Sequence, residues 1–169
     1  IHSGTKFLNG HSDLTAGIVV GRSDLIKGVF KTKTRLGGTA DAFMCYLLER
    51  GMRTLHARMP IHASNSSELA RRMQEHPEIS AVNHPSLESY PDYEVAKRIV
   101  PKGTGMLSFV VKGGDERAMR FVRALDIIFE ATSLGGIESL VSCPFNTSDI
   151  FVPEEDRLEA GIVPGFVRM

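Results

Sequence analysis

The spacing of apolar and polar positions changes period several times along the chain, and each change marks an element. Residues 16–20 form a short β-branched run bounded by Gly17 and Gly21, which predicts a buried strand, and a helix should start near Ser23. After Gly37-Gly38-Thr39, the positions Phe43, Tyr46, Leu47, Met52 and Leu55 recur at helical spacing, with Phe43, Tyr46 and Leu47 expected to face the core. Leu69 and Met73 continue that spacing in another helix beyond Pro60, so two long helices are predicted between Asp41 and Glu75.

Beyond His76-Pro77 the period shortens. Strands are predicted over 79–82 and 106–111, a loop over 85–91 and a helix over 116–124 after the Gly113-Gly114 break. A strand over 127–129, a glycine-bearing loop over 133–136, a helix opened by Pro153-Glu154-Glu155 and a strand-like end at 166–169 complete the pattern. Strands alternating with helices make this an α/β chain. The shift in composition places a domain boundary after residue 76, dividing 1–76, the end of a larger domain with its connecting helices, from a compact 77–169. The chain opens on Ile1 and closes on a strand-like run, so it is expected to be a piece of a longer polypeptide.

Composition narrows the possibilities. Twenty Lys and Arg against twenty Asp and Glu give zero formal net charge, so no general field draws the chain to nucleic acid or an anionic membrane. Any bound anion must be held by local groups. No apolar run approaches the ~20 residues needed to cross a bilayer. Cys45 and Cys143 are the only two cysteines, which points to reduced thiols and a cytoplasmic location.

The densest chemistry lies at the start, where residues 1–10 gather Ser, Thr, Gly and Asn around one Lys, read as a strand end passing into a loop. In an extended segment Ser3 and Thr5 point the same way and can both donate to one anion, while Lys6 points to the other side. A phosphate cradle beside a separate amine suits a cofactor that carries a phosphate and an aldehyde on one ring, as pyridoxal phosphate (PLP) does. A Ser-x-Thr-Lys string is also common in ordinary turns. His11 and Asp13 are read as structural hydrogen-bonding residues, since neither HExxH nor paired cysteines accompany them, and no metal is expected. Gly113-Gly114 and Gly135-Gly136 lack nucleotide-loop spacing, and Cys45 is read as a packed side chain.

The run His2-Ser3-Gly4-Thr5-Lys6-Phe7-Leu8-Asn9-Gly10-His11-Ser12-Asp13 resembles the cofactor-lysine signature of the cystathionine γ-synthase, cystathionine γ-lyase and methionine γ-lyase family. Similarity continues through Arg50-Gly51-Met52-Arg53-Thr54-Leu55, through Ser133-Leu134-Gly135-Gly136-Ile137-Glu138-Ser139-Leu140, and to Gly161-Ile162 and Val167-Arg168. The resemblance implies a type I PLP-dependent transferase fold, aspartate-aminotransferase-like, with this chain supplying the end of the large domain and the small C-terminal domain. It implies that Lys6 condenses with the cofactor aldehyde, that Ser3 and Thr5 bind its phosphate, and that Ser133 and Arg168 hold the substrate α-carboxylate. It also implies γ-replacement or γ-elimination on homoserine-derived or sulfur amino acids, as a γ-synthase, a methionine or cystathionine γ-lyase, or an O-acylhomoserine sulfhydrylase, in a homotetramer. The family's ring-stacking aromatic and its aspartate facing the pyridine nitrogen would lie upstream of Ile1, so the piece alone is expected to be inactive.

Three positions depart from the family pattern. Ala42 follows Asp41 where proline is common, and Pro144-Phe145-Asn146-Thr147-Ser148 replaces a Met-Thr-His or Met-Ser-His string. Thr132 stands where cystathionine-handling relatives carry glutamate, which leans toward another substrate. A non-catalytic module of the same fold is the competing reading.

Overall fold

The computed structural model describes residues 1–169. Backbone contacts divide the chain into two compact units, Ile1–Ala57 with Leu134–Ile137, and Arg58–Ser133 with Glu138–Met169. The division falls inside a long helix, whereas the shift in composition comes after residue 76.

In the first unit β1 (His2–Ser3) pairs antiparallel with β2 (Gly17–Ile18), His2 opposite Ile18 and Ser3 opposite Gly17. The chain between them does not stay extended. It coils at once into a wide helical turn, Gly4–Leu8, closed by Asn9 N–H donating to the Gly4 carbonyl at 3.2 Å. Gly4 permits this because Ala16 Cβ lies 3.1 Å from where its own Cβ would sit, and its N–H donates to the Ala16 carbonyl at 2.7 Å. The strand predicted over 16–20 is therefore shorter than expected, and it is not buried: Val20 is 75% exposed. A two-stranded ribbon with no further strand gives those β-branched side chains no second layer to pack on.

Helix α1 (Ser23–Leu36) begins at Ser23 as predicted, although Arg22 occupies the cap position, and it ends in left-handed Gly37 (φ 79°). Helix α2 (Ala42–Met52) is capped by Asp41, whose Oδ1 accepts from Met44 N–H at 2.8 Å. The Asp41-Ala42 departure thus leaves a sound helix start. Phe43 and Tyr46, expected in the core, are 68% and 59% exposed, because no other element of this unit covers their face of α2.

Helix α3 (Leu55–Gln74) runs straight through Pro60, where a second helix was expected to begin only beyond it. Pro60 forfeits one hydrogen bond to the His56 carbonyl, and burial of Ala63, Ser66 and Ala70 along the same helix offsets that loss.

The second unit is built on a three-stranded antiparallel sheet of β3 (Ile79–Asn83), β4 (Ser108–Val111) and β7 (Phe166–Arg168), with β4 in the centre. In chain order it also holds α4 (Tyr93–Ile99), α5 (Gly114–Arg123), β5 (Phe129–Glu130) parallel to β6 (Leu140–Val141), and α6 (Glu154–Glu159). Neither α4 nor β6 was anticipated, since each is too short to show a period. Helix α5 turns Ala118 and Val122 inward onto Phe109, Val111, Val141 and Val167, and the Phe109 and Phe121 rings meet edge to face at 5.7 Å. Burying Phe109 completely contributes about 1.5–3 kcal/mol.

One polar group is sealed into this unit. His84 is fully buried; its Nδ1 accepts from Ser86 N–H (3.2 Å), which puts the ring proton on Nε2, near Ser66 Oγ (3.2 Å) and the Thr104 carbonyl (3.4 Å). Burial holds its pKa below the ordinary histidine value.

Candidate functional site

Ser3, Thr5 and Lys6 lie together on the turn that follows β1. Ser3 sits at the mouth of the turn in an extended conformation (φ −77°, ψ 111°), and its hydroxyl makes no capping bond to the turn. Thr5 Oγ1 accepts from Ala16 N–H at 3.0 Å and reaches the Ala16 carbonyl only at 3.5 Å. The alternation assumed from an extended chain therefore does not apply at Thr5, because that residue is already inside the turn. Its hydroxyl is oriented by the Ala16 peptide and keeps a proton that is poorly used there.

Lys6 is half-buried and breaks the helical run (φ −96°, ψ −132°), while its carbonyl accepts from Gly10 N–H at 2.8 Å. Behind it stands Gly135, at φ 83°. A Cβ at Gly135 would sit 2.5 Å from Phe7 N and 2.8 Å from Lys6 C, so only glycine lets that loop rest on the lysine's backbone.

The loop after the turn is tied internally. Asn9 Nδ2 donates to Asp13 Oδ1 at 2.8 Å, and His11 Nδ1 lies 2.7 Å from the Asn9 carbonyl. Helix α2 meets it at Gly51, where a Cβ would collide with the Asn9 carbonyl. His11 and Asp13 both take part in hydrogen bonds within this loop.

Ser133 and Arg168 belong to the second unit. Arg168 lies on β7 and exchanges backbone bonds with Ser142 at 2.8 Å in both directions. Its Nη2 donates to the Thr132 carbonyl at 2.6 Å, which fixes the guanidinium beside the peptide that leads into Ser133. One of five N–H donors is thereby used, and the fork keeps the others for a planar anion. Next to Ser142, burial pushes the Cys143 thiol up to about 11, with the Glu130 and Asp115 carboxylates adding to the shift.

Two contributors escaped the sequence reading. The Thr132 carbonyl is a backbone group and carries no residue-type signal. Gly135 leaves a trace in the Gly135-Gly136 pair, whose residue types alone indicate only a turn.

The donor set suits PLP: two hydroxyls at one turn for an anion, an amine on the next residue, and a glycine-lined close approach behind it. The whole chain, residues 1–169, matches the family model described as Cys/Met metabolism PLP-dependent enzyme. The chain belongs to this family. PLP is the family's cofactor, and the fold is the type I, α/β arrangement of its members. All of the chain aligns with 43% of an L-methionine γ-lyase from Porphyromonas gingivalis at 40% identity over 172 residues. Over 168 residues it is 38% identical to the chloroplastic cystathionine γ-synthase 1 of Arabidopsis thaliana, covering 99% of this chain and 30% of that protein. A cystathionine γ-synthase of Xanthomonas oryzae pv. oryzae, solved with aminoacrylate and cysteine, superposes with a TM-score of 0.91 at 35% identity, over 99% of this chain and 43% of that one. The chain therefore spans less than half the length of the family members it matches, and these include both lyases and synthases.

Proposed function

We propose that the full-length protein is a PLP enzyme that carries out γ-elimination or γ-replacement on homoserine-derived or sulfur amino acids. The observation that carries this reading is the turn holding Ser3, Thr5 and Lys6, braced from behind by Gly135. In the proposal Ser3 and Thr5 donate to the cofactor phosphate and Lys6 supplies the amine that holds its aldehyde. Bound PLP supplies an electron sink for a carbanion at the substrate's α carbon. Arg168 and Ser133 take the substrate carboxylate, the role the family resemblance implies for them. The Lys6 amine, freed when the substrate amine takes its place, carries protons at the α and β carbons until the γ substituent departs. Water then completes an elimination, or a thiol a replacement.

Support for a substrate other than cystathionine comes from Thr132, an exposed neutral side chain at the position where cystathionine-handling relatives carry glutamate. A homo-oligomer, the assembly the family resemblance implies, is part of the same proposal. A cytoplasmic, reducing setting is supported by two unpaired cysteines, and no helix is long and apolar enough to cross a membrane.

The test uses the full-length protein with PLP. Wild type should show the visible absorbance of lysine-bound cofactor and Lys6→Ala should lose it while keeping its circular dichroism; a band that survives Lys6→Ala overturns the assignment. Release of thiol, ammonia and keto acid from O-acylhomoserine, methionine and cystathionine then separates lyase from synthase. No turnover of any of the three would favour the non-catalytic module.

A further inference from the structure

Ser142 stands beside Arg168 and has no part in the proposed chemistry. Its N–H donates to the Arg168 carbonyl and its carbonyl accepts from Arg168 N–H, each at 2.8 Å, so the two residues lie directly opposite in an antiparallel bridge. Opposed residues project to the same side, with Cβ atoms roughly 4.5–5.5 Å apart. Their neighbours Cys143 and Val167 fill the core on the other side, both with no exposure. The Val141 carbonyl points away from β7 and accepts from Ala131 N–H at 3.0 Å, so the segment carrying Ser142 runs between β7 and the chain that leads from β5 to Thr132. To reach the Thr132 carbonyl, the Arg168 side chain therefore crosses the pleat at Ser142.

The Ser142 hydroxyl is sealed there without a hydrogen-bond partner, in a residue only 1% exposed. A buried hydroxyl left unpaired is unfavourable, and alanine at this position would avoid that cost. This chain's own residues already cover it, so further polypeptide laid on the outside does not reach the hydroxyl, and neither does a substrate. The donor on its face is Arg168, whose guanidinium is held at the Thr132 carbonyl and has further N–H groups to give.

We propose that Ser142 is a positioning residue for Arg168: its hydroxyl accepts a second guanidinium N–H as the fork closes on a carboxylate. Two points of attachment rather than one then set the plane of the fork, on which two parallel bonds to a carboxylate depend. The inference rests on the proposed role of Arg168 in holding the substrate carboxylate.

The test measures binding of L-norleucine, an amino acid with no γ leaving group, to the full-length protein loaded with PLP, read from the change in the visible cofactor band. Ser142→Ala should weaken norleucine about tenfold while its urea midpoint stays level or rises, since no bond of the free protein is lost. Arg168→Met, which keeps a stem but no donors, should weaken norleucine as well, and adding Ser142→Ala to it should weaken binding no further. Unchanged affinity in Ser142→Ala, a lowered midpoint in that variant, or additive losses in the double variant would each overturn the inference and leave the role of Arg168 standing. Unchanged affinity in Arg168→Met would overturn the carboxylate reading and this inference together.

Discussion

Replacing Gly135 by alanine probes whether the glycine loop truly rests on the lysine's backbone. Two costs add at this position. The first is conformational: φ is 83°, a left-handed value that costs an L-residue about 1–2 kcal/mol. The second is steric, because the new methyl would lie 2.5 Å from Phe7 N and 2.8 Å from Lys6 C, both backbone atoms with no flexible end to swing aside. Overpacking of that kind costs about 1–3 kcal/mol, so Gly135→Ala should lose about 2–5 kcal/mol. Gly37 is the natural control, with φ 79° and nothing within 4 Å of its Cβ position, so Gly37→Ala should lose only the conformational part, about 1–2 kcal/mol. Urea midpoints of the full-length variants give both numbers, and the visible cofactor band of Gly135→Ala reports whether Lys6 has shifted. Equal losses in the two variants, with an unchanged band, would refute the close packing of this loop on Lys6.

Arg168→Lys keeps the charge but replaces a fork with a point, so KM for the amino-acid substrate should rise about tenfold or more, measured by steady-state kinetics. The folded protein depresses the His84 pKa, so between that value and the ordinary 6.5 the unfolded chain binds more protons. Stability should accordingly be complete above pH 6.5 and fall as pH drops below it; urea midpoints taken at intervals from about pH 7.5 to 5 should show the fall, and His84→Gln should flatten it. With its thiol pushed up to about 11 and its side chain buried, Cys143 should resist iodoacetamide at about pH 8 while exposed Cys45 is labelled, read by peptide mass spectrometry.

The fold class was readable because α2, α3 and α5 are long enough to show a helical period and β3 and β4 are framed by proline and glycine. What escaped was set by tertiary context. Whether Phe43 faces a core depends on what lies opposite α2, and the same holds for Val20 on a two-stranded ribbon. Pro60 looked like a boundary because propensity is local, yet side chains buried further along α3 carry the helix past it. At the candidate site the reactive residue types could be read directly, but the geometry could not. The extended chain inferred around Thr5 is a wide helical turn, and Arg168 is aimed by a carbonyl that has no letter of its own in the sequence.

The placement of Arg168 on β7 has a consequence for how such a protein can change. Val167 faces inward with no exposure while its neighbours Phe166 and Arg168 stand on the opposite face, so a one-residue slip in the register of β7, or a single residue inserted or deleted within the strand, would drive the guanidinium into the hydrocarbon interior and expel the valine. If Arg168 takes the substrate carboxylate as proposed, selection for a new ligand and selection for a foldable chain meet at one strand. Length changes there should survive only in steps that preserve the parity of the pleat.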